Sequence, residues 1–139
     1  MRRNEKGFTF IEIMVVIILI GLLATLVAPK IFKGMGKAKQ NIARSKMAII
    51  ESAISQFHMD CGRIPYDTEG LEALLVAPED VADKWNGPYV KKSELLDPWG
   101  NPYIYVEHGE HNVGSFDLVS LGADGQPGGD GDNADIYND

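Results

Sequence analysis

Two arrangements of acidic side chains carry the chemistry of this 139-residue chain. The first is Glu12, five residues after Gly7, inside the apolar run Phe8 to Ala28 that only Thr9, Glu12, Gly21 and Thr25 interrupt. An acid at the centre of a membrane helix costs about 2.5–3.5 kcal/mol, less near its edge. Such a residue calls for a partner. Cleavage after Gly7 would create one, an amine on Phe8, four residues from Glu12 and on the same helix face. Where copies of the helix pack together, Glu12 of one copy can meet the Phe8 amine of another. The burial cost then disappears only on assembly, and the pair sets the axial stagger.

The second arrangement is C-terminal. After Lys92 there are ten acidic side chains and no Lys or Arg. Four of the acids, Asp124, Asp130, Asp132 and Asp135, fall in one glycine-rich stretch. Crowded like charges need solvent or a cation. Oxygen-only ligands in a pliable loop select a hard ion, Ca²⁺ rather than Mg²⁺. Asp124–Asp135 is a 12-residue window with Gly129 at its sixth position, but Gly128 and Asp135 depart from the EF-hand pattern and a strand is expected before it. A true EF-hand is excluded. A disordered acidic tail competes, and Ile136 and Tyr137 beyond the loop argue against it as apolar anchors.

These groups need elements to hold them. The 21 residues Phe8–Ala28 make a helix about 31 Å long, enough for a bilayer core. Arg2, Arg3 and Lys6 before it point to the cytoplasm, which puts the rest of the chain on the far side. The run is too long for a cleaved secretory signal, and a plain anchor leaves Glu12 unexplained. From Lys30 to about Asp60 the helical pattern continues, with Ile31, Met35, Ala38, Ile42, Ile49, Ala53 and Phe57 as an apolar stripe. Pro29, Gly34 and Gly36 mark an expected bend or unwound stretch, and Gly62 an expected left-handed cap. Thr68 is the expected N-cap of a short helix bearing Leu71, Leu74 and Leu75. Asp97-Pro98-Trp99-Gly100 reads as a turn before a strand at Tyr103–Val106. Glu107–Asn112 is the expected hairpin loop and Val113–Leu121 the returning strand. The single Cys61 cannot form an internal disulfide and is expected to be buried and inert.

Several classes are excluded. Removing residues 1–7 leaves 10 basic and 19 acidic side chains, net −9, which argues against nucleic acid as a partner. Glu107-His108-Gly109-Glu110-His111 lacks zinc-protease spacing and reads as a solvated turn. Ser93, Ser115 and Ser120 have no matched His and acid. No catalytic residues are assigned, and an enzyme is not expected.

Gly7-Phe8-Thr9-Phe10-Ile11-Glu12 before an apolar helix resembles the processing signal of the type IV pilin-like family. With Asp97-Pro98-Trp99-Gly100, Ser120-Leu121-Gly122-Ala123-Asp124-Gly125 and Ala134-Asp135-Ile136, the resemblance narrows to the major pseudopilins of type II secretion and covers most of the chain. It implies an α+β pilin-like fold: a long N-terminal helix packed on a small antiparallel sheet, with a C-terminal calcium loop. The divisions are a cleaved leader at 1–7, a transmembrane and filament-core helix at 8–28, an amphipathic helix at 29–61, and a periplasmic head at 62–139 with its acidic loop at 121–136. The resemblance implies a prepilin peptidase that cuts between Gly7 and Phe8 and methylates the Phe8 amine. It also implies a homopolymer in the bacterial inner membrane and periplasm, with minor pseudopilins and an inner-membrane assembly platform as partners, that drives protein export across the outer membrane. The implied Ca²⁺ ligands are Asp124, Asp132 and Asp135 and the Leu121 carbonyl, with Gln126, Gly129 and Asp130 as further candidates. A type IV pilin, a minor pseudopilin or a membrane-tethered calcium-binding module are the alternatives. The missing cysteine pair and the calcium-type loop weigh against the pilin.

Overall fold

A computed structural model describes residues 7–139. The basic residues Arg2, Arg3 and Lys6 of the expected leader lie outside the described residues. The chain divides into a unit ending at Met35 and a second unit, Gly36–Asp139.

The first helix, α1, is Phe10–Cys61. Thr9 caps its start, its hydroxyl oxygen accepting the Glu12 N–H at 3.2 Å, which satisfies one of the donors a helix leaves unpaired at its first turn. The helix continues through Pro29, Gly34 and Gly36, where a bend or unwound stretch was expected. Proline removes one N–H donor from the ladder, and the neighbouring residues, mostly good helix formers, carry the helix across it. The helix ends as expected at Gly62, at φ +78°, with its N–H donating to the His58 carbonyl at 2.8 Å.

In the second unit, α1 turns Ala43, Met47, Ile50, Ile54, Phe57 and Cys61 inward. Their spacing alternates four and three residues, which keeps one face of a 3.6-residue helix against the head. This corrects the expected stripe. Ala53 and Phe57 are buried, but Ile42 and Ile49 are 49% and 44% exposed, and in the first unit Ile31 and Met35 are exposed as well. The helix carries two adjacent apolar stripes, and the head covers the one richer in small and flexible residues.

The head closes on Phe57, Ile50, Ile54, Leu74 and Leu118, all fully buried. Polar tips of large side chains reach backbone acceptors: the Tyr103 hydroxyl donates to the Ala43 carbonyl at 2.9 Å and Trp85 Nε1 to the Ala73 carbonyl at 2.8 Å. Arg63 stacks 3.9 Å over Tyr66 and grips Glu69 at 2.7 Å and Asp80 at 2.8 Å. Thr68 caps nothing: the short helix is a 3₁₀ turn, Gly70–Leu74, entered through Glu69 and Gly70 at φ +60°. Glu69 is drawn to Arg63, and its positive-φ neighbour prevents a helix from starting at Thr68.

The sheet is antiparallel, in the order β1 (Ile104–Val106), β2 (Asp117–Ser120), β3 (Ile136–Tyr137). Ile104 pairs with Val119, and Ser120 with Ile136. The returning strand is shorter than expected because residues 107–116 wrap around the Asp117 side chain. The third strand was not anticipated. Two residues show no alternation, and only pairing with β2 makes them a strand.

Candidate functional site

In the first unit, Phe8, Glu12, Ile13, Val16 and Ile17 line one shallow groove of about 240 Å³. Phe8 and Glu12 therefore share a face, as their spacing demands. Gly7 and Phe8 precede α1 and are exposed, so the bond between them lies outside the helix. The Thr9 cap is a feature that sequence reasoning missed. Its signal was present, because Thr9-x-x-Glu12 is a capping-box spacing. Glu12 thus has a second place to act, at the electropositive end of its own helix.

The acidic loop is built on the Asp97 turn. Asp97 Oδ1 accepts the N–H groups of Trp99 at 3.1 Å and Asn101 at 2.8 Å, and its Oδ2 accepts the Ser120 hydroxyl at 2.8 Å. A carboxylate that accepts local backbone donors this way rigidifies a turn. Asn101 Nδ2 in turn donates to the Gly122 carbonyl at 3.4 Å. Gly122 sits at φ +75°, and a Cβ there would come within 2.9 Å of the Asp132 and Ala134 carbonyl oxygens. Its lack of a side chain lets the two limbs of the loop touch. The Ala123 N–H donates across that contact to the Asp132 carbonyl at 2.9 Å.

Leu121 follows β2, half-buried, at the base of the loop. On the first limb Asp124 Oδ1 accepts the Gln126 N–H at 3.1 Å. On the second, Asp135 Oδ2 accepts the Gly128 N–H at 2.9 Å. The other oxygen, Asp135 Oδ1, is buried and has no hydrogen-bond partner. An unpaired buried polar atom costs about 1–3 kcal/mol, more when charged. An oxygen-seeking cation is one group that would satisfy such an atom. Asp132 is placed differently, with its carboxylate against Gly36 of α1. Asp130, Gln126 and Gly129 are exposed. Among the described residues no three His, Cys, Asp or Glu side chains converge closely enough to hold an ion.

Sequence reasoning also missed a hub beside the loop. The buried Asp117 accepts the N–H groups of Glu110, His111 and Asn112 at 2.8–2.9 Å and the Asn112 side-chain amide at 3.1 Å. Asn138 completes it. Its Oδ1 accepts the Leu118 N–H at 2.7 Å, and its Nδ2 donates to the Phe116 carbonyl at 3.2 Å. The ring of His111 stacks on Tyr137 at 4.5 Å. Within Glu107–His111, Asp117 holds the backbone of Glu110 and His111, while His108, Glu110 and His111 are exposed. Nothing in the spacing of 110–117 announced this, because the pattern is a wrapped loop with no period.

Burial pushes the Asp117 carboxyl up, but the N–H donors of His111, Asn112 and Glu110 outweigh it and hold the group below its usual value. A depressed folded-state value stabilises the fold above the ordinary carboxylate range, and that stability is lost as pH falls through the lowered value. Asp117→Asn should cost about 1–3 kcal/mol at pH 7, with backbone donors left unpaired. It should also flatten the loss of stability as pH falls below the ordinary carboxylate range. Urea melts at neutral pH and below that range check it. A variant that keeps the parent's acid sensitivity would move the effect elsewhere. Burial likewise raises the Cys61 thiol, as fits an inert residue in the core.

Residues 30–139 match the family described as type II secretion system (T2SS), protein G, and residues 2–28 match the prokaryotic N-terminal methylation motif. A relative from Pseudomonas aeruginosa, the type II secretion system core protein G, is 42% identical over 139 residues, covering 99% of this chain and 96% of that one. The Vibrio cholerae protein of the same name is 38% identical, covering 98% and 92%. The crystal structure of the major pseudopilin from the type 2 secretion system of enterohaemorrhagic Escherichia coli superposes with a TM-score of 0.62. It is 26% identical, with 76% of this chain and 90% of that one covered.

Proposed function

The chain belongs to the type II secretion system protein G family, and from that premise we propose how it acts. It is a structural subunit of the secretion pseudopilus. A membrane prepilin peptidase cuts between Gly7 and Phe8 and methylates the new Phe8 amine. The processed chain stays in the inner membrane through α1, with its head in the periplasm, until an inner-membrane platform draws it into a homopolymer together with minor pseudopilins. Growth of that polymer drives protein export across the outer membrane.

The observation that carries this reading is the apolar surface the chain does not cover for itself. Large apolar side chains from Phe10 to Val27 are all exposed, on a helix long and apolar enough to cross a membrane. In the second unit Ile42 and Ile49 are exposed too. Exposed apolar surface on this scale marks a membrane or a protein partner. A bilayer suits Phe10–Val27 before assembly, and neighbouring copies suit it afterwards. Chemical cross-linking of the processed chain in cells producing the secretion system should give a ladder of multimers. Monomers alone would favour a membrane-tethered binding module.

We infer that the acidic loop binds Ca²⁺, a reading supported by the unpartnered Asp135 Oδ1. The Leu121 carbonyl and the Asp124 and Asp135 carboxylates would hold it, with the Gln126 and Gly129 carbonyls as further oxygens. For the third carboxylate the candidates are Asp132 and Asp130, and the position of Asp132 against Gly36 favours Asp130. A cation there would fasten the two limbs, the task a cysteine pair performs in other small exported heads.

A further inference from the structure

The second unit begins at Gly36, which is buried although it has no side chain to bury. The carboxylate of Asp132 covers it, and a methyl group on Gly36 would take the same space. One turn further along α1, Gln40 Nε2 donates to the Gly131 carbonyl at 2.8 Å. The 3₁₀ turn Gly131–Asn133 therefore rests on α1 at two adjacent points. On its other side it receives the Ala123 N–H, which leads directly to Asp124.

We propose that Gly36 and Gln40 form a latch for the acidic loop, and that Asp132 is the positioning residue that closes it rather than a metal ligand. The part concerning cation affinity rests on the calcium reading above. The latch holds the second limb against the first, so less conformational entropy is lost when the loop closes on a cation. A residue of α1 that never touches the cation thereby tunes its affinity. Coupling of this kind is reciprocal, and a filled loop holds Gly36–Gln40 more firmly in return.

Gly36→Ala separates the possibilities because two effects oppose each other. Alanine is the better helix former, so without a latch the substitution raises the melting temperature and leaves the loop alone. With a latch the new methyl evicts Asp132 and frees the turn. The test uses the full-length chain in detergent: parent, Gly36→Ala, Asp132→Ala and the double variant. Calcium binding is read by calorimetry, and hydrogen exchange is read over residues 122–134. Each single variant should bind calcium about fivefold more weakly, and the double variant no more weakly than either. Loop exchange should quicken in both single variants even in chelator. A Gly36→Ala protein with the parent's affinity and exchange overturns the latch. A hundredfold or greater loss in Asp132→Ala alone, with Gly36→Ala unchanged, makes Asp132 a ligand and also overturns it. A parent that binds no calcium removes the calcium reading, and the exchange measurement then decides. Faster, non-additive loop exchange supports the latch, and unchanged exchange overturns it.

Discussion

Glu12→Ala should leave the leader cleaved and the head folded but reduce filament yield by more than tenfold. The expectation follows from what the carboxylate meets in each state. In the single subunit Glu12 lies in the first turn of α1, beside the Thr9 cap and the helix N-terminus, where a negative charge is welcome. In the proposed filament the same carboxylate would sit among packed apolar helices and would need a cation. The amine of a neighbouring Phe8, which processing would create, has the right charge. Removing one partner of a buried pair costs about 3–5 kcal/mol, because the other is left uncompensated. At about 1.4 kcal/mol per factor of ten, that is a hundredfold or more against each subunit addition. The cap supplies a control. Thr9→Ala removes only the end hydrogen bond, worth about 1 kcal/mol, and should assemble far better than Glu12→Ala. Mass spectrometry of the mature N-terminus checks processing, and quantified sheared or cross-linked filaments check assembly. Equal yields from Glu12→Ala and the parent would remove the ion pair from the mechanism.

The parts of this molecule legible in sequence are those whose signal is local. Gly62 after an apolar helix, Asp97 before Pro98 and the alternation at Tyr103–Val106 each report their own conformation, and each appears where expected. The inward face of α1 was misjudged because helical periodicity identifies an apolar stripe but not what covers it. Ile42 and Ile49 satisfy the period as well as Met47 and Ile50 do, and only the head decides between them. In a subunit built to polymerise, a second apolar stripe is no error of patterning, since it awaits a partner the single chain lacks. Asp117 and Asn138 were invisible for a related reason. Their work is to gather backbone groups from residues 110–118, and no spacing rule encodes where a wrapped loop presents its N–H groups. The acidic loop lies between these cases. Its charge and glycine content pointed to a cation, but the place of Asp132 is against Gly36, nearly a hundred residues earlier in the chain.

Chelation should lower the melting temperature of the head, and restored Ca²⁺, but not Mg²⁺, should recover it. A ligand that binds only the folded state stabilises it by about 2.7 kcal/mol at a hundredfold excess over its Kd. For a domain of this size that corresponds to a shift of about 10–20 °C. Mg²⁺ fails because it demands tight octahedral geometry and gives up its water reluctantly, whereas Ca²⁺ tolerates an irregular loop of carbonyls and carboxylates. Asp135→Asn isolates the site. The amide oxygen can still accept the Gly128 N–H that now reaches Asp135 Oδ2 at 2.9 Å. The negative charge is lost, and with it the buried, unpartnered oxygen is no longer part of a carboxylate. In chelator the variant should therefore melt no lower than the parent, since it is relieved of a carboxylate whose buried oxygen has no partner. With Ca²⁺ present it should lose most of the shift, because carboxylate charge governs calcium affinity. The two measurements together distinguish a ligand from a structural aspartate, whose loss would lower both melting temperatures alike. A parent whose melting ignores Ca²⁺, or an Asp135→Asn protein that keeps the full shift, would take the cation out of this loop.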